Sequence, residues 1–280
     1  MINNRQKRKN RENGGCATDI GNCAEVNQDR ILLRTFRKEE KAPSITLGIV
    51  CDGVGGLEHG EIASERIVSM AEEWFENLTA WVDPAAAEPA LLFSHFKDAA
   101  EEWNESLFDF CREQGIRTGT TMSAVLAVRE CFYLVHVGDS RIYRYRETVG
   151  QLEQLTEDDS VAKMKNGRMK NYLSRYVGQQ PDFLYHTLQG KLKEGDLLIF
   201  CTDGAYSLLQ DNDIRLLQDN IILQKDSIIL QKDNIILKKD NGKKKENADC
   251  SVLCADLLQE LKQRGGTDNL SLGVLWAEPL

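Results

Sequence analysis

The chain has 280 residues, 41% of them hydrophobic, and because single cores stop growing near roughly 250 to 300 residues, one domain is expected. Acidic residues outnumber basic ones by 44 to 35, giving a net charge of −9 and a pI near 5.1, which argues against a general nucleic-acid or anionic-membrane binder. Eight cysteines occur without an apolar leader behind Met1-Ile2-Asn3-Asn4-Arg5, so a reducing cytoplasm is expected in place of a disulfide framework, and no apolar run reaches the ~18 residues a membrane span requires.

Residues 1–15 hold Arg5, Lys7, Arg8, Lys9 and Arg11 and almost nothing apolar, so they are expected to stay disordered as a basic tail. The domain is expected to fill 16–280. Strand-like runs follow at Ile31 to Phe36 and Ile45 to Cys51. The period then changes: Ala63, Ile67, Met70, Ala71, Trp74, Phe75 and Leu78 recur at three- and four-residue spacings and predict a helix from near Gly60. A second helix is expected through Leu92, Phe96, Ala99, Trp103, Leu107 and Phe110, both apolar stripes being core.

Strands are predicted at Met122 to Val128, Cys131 to Val137 and Arg141 to Arg146, with short connections that imply antiparallel pairing. Later strands are expected at Asp196 to Cys201 and Leu270 to Trp276, with a helix through Cys250, Cys254, Leu257, Leu258 and Leu261 between them. Cys250 and Cys254 lie one helical turn apart with no nearby histidine, and are read as buried thiols in preference to zinc ligands. This order fits an α+β fold with a two-layer sheet core covered by helices better than a doubly wound parallel sheet.

One segment interrupts the pattern. Asp219-Asn220-Ile221-Ile222-Leu223-Gln224-Lys225 repeats nearly unchanged at Asp226 and again at Asp233. The three apolar residues of each unit are consecutive, so on a helix they spread over about 200° and form a poor coiled coil. The stretch at about 216–247 is read as a tandem-expanded surface insertion, a longer helix or irregular segment packing loosely; a docking element is the sharper alternative.

Four aspartates stand where apolar, strand-like runs give way to small residues, in Val50-Cys51-Asp52-Gly53, Val137-Gly138-Asp139-Ser140, Cys201-Thr202-Asp203-Gly204 and Gly266-Thr267-Asp268-Asn269. Singly, each step is ordinary turn chemistry. Together they would crowd like charges at one end of a sheet core, and such a cluster calls for hard divalent cations. Cys51 and Cys201 sit beside these acids and are read as buried strand residues, not redox sensors.

These motifs, with Asn27-Gln28-Asp29-Arg30, Gly53-Val54-Gly55-Gly56, Gly60-Glu61-Ile62-Ala63-Ser64 and Gly119-Thr120-Thr121-Met122, resemble in order those of the metal-dependent Ser/Thr protein phosphatases of type 2C, in their compact bacterial form. The resemblance runs from about Thr18 to Trp276. It implies a four-layer α-β-β-α sandwich, with two antiparallel sheets flanked by helices and a Mn²⁺ or Mg²⁺ pair at one end. By the resemblance, Asp52 bridges the two metals and the Gly53 carbonyl binds one of them. Asp203 and Asp268 hold the other, Asp29 acts largely through water, and Asp139 with Asp203 forms a weaker third site. A hydroxide bridging the metals would attack phosphorus in line, releasing the seryl or threonyl oxygen. The implied partners are phosphoprotein substrates and, through them, a Ser/Thr protein kinase.

Several positions depart from the family's pattern. Ala24 occupies the place of an arginine that clamps the substrate phosphate, and alanine makes none of the two parallel bonds a guanidinium offers. Arg30 is a candidate to replace it from across the site. Gln28 replaces a common glutamate, with little effect expected. His59 is a candidate general acid, set against the plainer reading of a surface-loop histidine. Between Leu155 and Gly178 the family's longer flap is shortened to the stretch Val161 to Asn171, which bears on substrate preference. The alternative function is a catalytically weakened member that binds phosphoproteins or serves as a scaffold.

Overall fold

Period-two alternation divides each central strand between two apolar cores. In β3 (Ile45–Asp52), Ile45, Leu47, Ile49 and Cys51 pack toward helices while Val50 packs toward a second sheet. In β4 (Met122–Val128), Met122, Ala124, Leu126 and Val128 take the helix side, and Val125 and Ala127 the inner side. Burial on both faces is why these runs read as continuously apolar instead of alternating with polar residues.

The computed structural model describes residues 13–39, 42–54, 57, 59–165, 168–230 and 250–277, with backbone alone at 165, 168–171 and 222–230. One sheet has the order β10 (His186–Lys191), β5 (Cys131–Val137), β4, β3 and β2 (Asp29–Phe36). The other has the order β1 (Gly14–Asp19), β12 (Leu270–Trp276), β11 (Leu197–Cys201), β6 (Arg141–Arg146) and β7 (Gln151–Gln154). Neighbouring strands are antiparallel throughout. Leu33, Val50, Leu134, Leu198, Phe200 and Leu275 meet between the sheets.

Helices cover the outer faces. From α1 (Gly60–Thr79), Ala63, Ile67, Ala71, Phe75 and Leu78 join Leu92, Phe96, Trp103 and Leu107 of α2 (Pro89–Gln114) over the first sheet. Ile214, Leu217 and Ile221 of α4 (Asp211–Leu230) and Cys254, Leu258 and Leu261 of α5 (Cys250–Gln263) cover the second. The predicted α+β, four-layer α-β-β-α sandwich is therefore the observed architecture. Among the described residues no helix is long and apolar enough to cross a membrane.

The structure refines three of these boundaries. The predicted tail, 1–15, lies outside the described residues as far as 12, but its last two residues belong to β1, whose Gly14 and Gly15 pair with Leu275 and Val274. The shortened flap stretch, Val161 to Asn171, lies within a hairpin of β8 (Ser160–Lys165) and β9 (Arg168–Leu173). The repeat insertion begins within α4, where Leu217 and Ile221 are buried and not loosely packed; residues 231–249 lie outside the described chain.

Candidate active site

Antiparallel register brings the first two acids together: Asp29 opens β2 directly opposite Asp52, which closes β3. Asp203 begins the short helix α3 (Asp203–Tyr206) immediately after β11, Asp268 precedes β12, and Asp139 follows β5. Because β11 and β12 are neighbours, their adjoining loops deliver Asp203 and Asp268 to the same edge. Gly53 and Gly60 pack backbone to backbone; a Cβ on Gly53 would lie 2.5 Å from the Gly60 carbonyl carbon. That contact requires glycine and brings the head of α1 against the Asp52 turn.

The hydroxyls of this region fix the acids. Asp29 is fully buried, and its Oδ2 accepts hydrogen bonds from Thr202 Oγ1 and Ser271 Oγ, each 2.8 Å. Its Oδ1 is buried with no hydrogen-bond partner. The Asp52 amide donates to Thr121 Oγ1 (2.9 Å), and the Asp52 carbonyl accepts from Thr120 Oγ1 and the Thr121 amide, both 2.8 Å. Asn269 Oδ1 accepts the Gln28 amide at 2.8 Å while its Nδ2 donates to the Ile20 carbonyl, which ties the loop holding Asp268 to the entry of β2. Thr202 and Thr121 are visible in the motifs by sequence, yet their role in holding the acids needed the register.

Electrostatics follow from this crowding. Burial pushes the Asp29 carboxyl up to about 7 despite its two hydroxyl bonds, with Asp203 and Asp268 adding repulsion. Burial, then Asp29, Asp203, Asp139 and Asp268 in turn, push Asp52 well above the ordinary carboxylate range. Asp139 rises to about 6 through burial and the charges of Asp203 and Asp158, and burial followed by Asp268 raises Asp203. A buried carboxylate oxygen without a partner costs several kcal/mol on an order-of-magnitude scale unless something cationic or protic meets it. The donor set is all oxygen, which fits Mg²⁺ or Mn²⁺, although among the described residues no three acids, cysteines or histidines close into a ready-made metal cage.

The remaining predicted residues take plainer places. Arg30 is already engaged: its Nε pairs with Glu65, and its Nη1 donates to the Asn27 and Asp29 carbonyls at 2.9 and 2.7 Å. Arg141 is held by Asp158 and stacks 3.9 Å over the Tyr206 ring. Ala24 sits in a loop anchored on both sides, by Asn22 to the Gly266 carbonyl (2.9 Å) and by Asn269 to the Val26 carbonyl (3.3 Å). His59 adopts φ 60° at the head of α1, half-exposed, with Nδ1 3.5 Å from Glu61. Gln28 Nε2 also donates to Glu61, at 3.3 Å. Burial pushes the Cys51 thiol far up and that of Cys201 to about 12, which makes both poor nucleophiles. Cys250 and Cys254 are buried on α5, the Sγ of Cys254 lying 3.4 Å from the Gly15 carbonyl.

Solved structures similar to this one include bacterial phosphatases. The S. agalactiae serine/threonine phosphatase superposes with a TM-score of 0.64 at 24% identity, over 95% of this chain and 99% of that one. The Mycobacterium tuberculosis serine/threonine phosphatase PstP/Ppp gives 0.64 at 20% identity, over 95% and 98%. A putative protein phosphatase 2C-type of Streptococcus pyogenes is 28% identical over 215 residues, 70% of this chain and 80% of that protein. Residues 23–222 match the family Protein phosphatase 2C. The chain belongs to that family.

Proposed function

We propose that this protein is a metal-dependent phosphoprotein phosphatase that hydrolyses serine and threonine phosphate in the cytoplasm and thereby opposes a Ser/Thr protein kinase. The observation that carries the reading is the unpartnered, fully buried Oδ1 of Asp29, an acid within a set of mutually repelling carboxylates. Family membership supports the same reaction, as relatives are named serine/threonine phosphatases.

Asp52 with the Gly53 carbonyl, and Asp203 with Asp268, would hold two Mn²⁺ or Mg²⁺ ions; Asp29 would reach them through water, and Asp139 with Asp203 would hold a weaker third. When bound, such ions acidify water into a nucleophile near neutral pH and screen the phosphate charge. The chain's own part is positioning. Thr120 and Thr121 lock the Asp52 backbone, Thr202 and Ser271 leave one Asp29 oxygen free to accept a hydrogen bond from water, and the Gly53–Gly60 contact keeps the Asp52 turn from spreading. No cysteine attack is needed. Retention of the whole carboxylate set weighs against the scaffold alternative, to which Ala24 and the repeat insertion lend support.

Hydrolysis of para-nitrophenyl phosphate with and without Mn²⁺, beside Asp52→Asn, tests the proposal. Turnover that needs Mn²⁺ and disappears in the variant supports it; metal-independent or absent turnover by folded protein overturns it.

A further inference from the structure

The β8–β9 hairpin leaves and re-enters the sandwich at one buried acid. Asp159 directly precedes β8 and is 4% exposed; its carbonyl accepts the Ser174 amide at 2.8 Å, just beyond β9. Its Oδ1 accepts a hydrogen bond from Arg175 Nη2 and lies 3.1 Å from Nε2 of His186, the first residue of β10. Both ends of the hairpin and the start of an edge strand therefore converge on a single carboxylate. Arginine is always protonated, so this buried charge has a permanent counter-ion on the hairpin side.

The other side of Asp159 points at the catalytic edge. Its amide donates to the Gly138 carbonyl at 2.7 Å, and its Oδ2 accepts the Gly138 amide at 3.1 Å. Gly138 has φ 109°, and a Cβ there would lie 2.6 Å from the Thr121 Cβ, so the position demands glycine. Glycine is also the residue freest to rotate, and it directly precedes Asp139. With both its backbone polar groups taken by Asp159, that freedom is removed. Thr121, against which Gly138 packs, in turn accepts the Asp52 amide and bonds Ser140 at 2.7 Å.

We propose that Asp159 is a positioning residue for Asp139, joining the seating of the β8–β9 hairpin to the capacity of Asp139 to bind a cation. The inference rests on the reading of Asp139 as a metal ligand. Substituting a residue that orients a ligand from behind lowers metal affinity by about 10- to 100-fold. A hairpin that loses its anchor carries the Gly138 peptide with it, and Asp139 then samples several orientations.

The test is Mn²⁺ titration of the full chain by calorimetry, for the wild type, Asp139→Asn, Asp159→Ala and the gentler Asp159→Asn, with hydrogen exchange over 160–174 at each Mn²⁺ concentration. The wild type is expected to show a weaker Mn²⁺ component that Asp139→Asn abolishes and Asp159→Ala weakens about tenfold or more. Saturating that component should slow exchange over 160–174 in the wild type and not in Asp159→Ala, an effect that mere loss of stability does not produce. If Asp159→Ala fails to fold, Asp159→Asn, which keeps an oxygen for the Gly138 amide but loses the charge, carries the same comparison. Folded Asp159 variants with an unaltered weaker component and unaltered Mn²⁺-dependent exchange overturn the inference alone. A wild type with no component sensitive to Asp139→Asn overturns the reading of Asp139 and the inference with it.

Discussion

Thr202 Oγ1 donates a 2.8 Å hydrogen bond to Asp29 from the position immediately before Asp203, so one hydroxyl fixes an acid of the first sheet and stands next to an acid of the second. The same Oγ1 accepts the Ser271 amide at 3.0 Å. Thr202→Val keeps the shape and removes both bonds. Leaving these buried groups unsatisfied costs about 1–3 kcal/mol, read as a lower urea midpoint with an unchanged slope. An unchanged midpoint would show that the hydroxyl does not hold the two sheets' acids together.

Ala24→Arg is expected to raise kcat/KM toward a phosphoserine peptide. Charge-assisted hydrogen bonds contribute about 1.5–3 kcal/mol, which corresponds to roughly 10- to 100-fold. Since Arg30, Arg141 and Arg264 are each committed to acids or backbone carbonyls, none of the three supplies that interaction already. A peptide assay that shows no gain counts against a vacant phosphate clamp at this loop.

Asp52→Asn should separate stability from function. Removing one of several mutually repelling carboxylates relieves strain, so without metal the variant is expected to melt above the wild type. Saturating Mn²⁺ should then stabilise the wild type, by about 2.7 kcal/mol at a hundredfold excess over Kd, and leave the variant unmoved. Thermal melts of both proteins with and without Mn²⁺ decide it.

A pH effect is expected away from the site, at the start of α4. The Arg264 guanidinium holds the Asp213 carboxyl below its usual range, aided by the Gln210 amide (2.9 Å). A folded-state pKa below the unfolded one means stability that is full above the unfolded value, near 3.9, and is lost as pH falls through the folded value. Asp213→Asn should therefore destabilise at pH 7 by about 1–3 kcal/mol and converge with the wild type in acid. Urea denaturation at several pH values measures this, and a penalty that persists equally at low pH would count against the ion pair.

Three of the strands that sequence missed share a cause. β1, β7 and β10 each lie at a sheet edge, with a partner on one side only, so β10 reads His-Thr-Leu-Gln-Gly-Lys with little apolar pattern. The central strands β3, β4, β11 and β12 are buried on both faces and announced themselves as apolar runs. At the site, Asp29, Asp52, Asp139, Asp203 and Asp268 were legible because each sits in a compact motif. The groups that orient them were not, since Thr202, Ser271 and Asp159 act across separations of 173, 242 and 21 residues, and a hydroxyl or carboxylate carries no mark of its distant partner.

The pairing of β1 with β12 sets an order of assembly. All strands of the first sheet have been synthesised once Lys191 is made, whereas the second sheet lacks the strand between β1 and β11 until Trp276 is added. Asp29 and Asp52 can thus be seated early, but Asp268 arrives only with the final strand. Contacts this remote in sequence form slowly. A nascent chain would hold half of the candidate centre until β12 emerges, so phosphatase activity should switch on in one step at that point instead of growing with chain length.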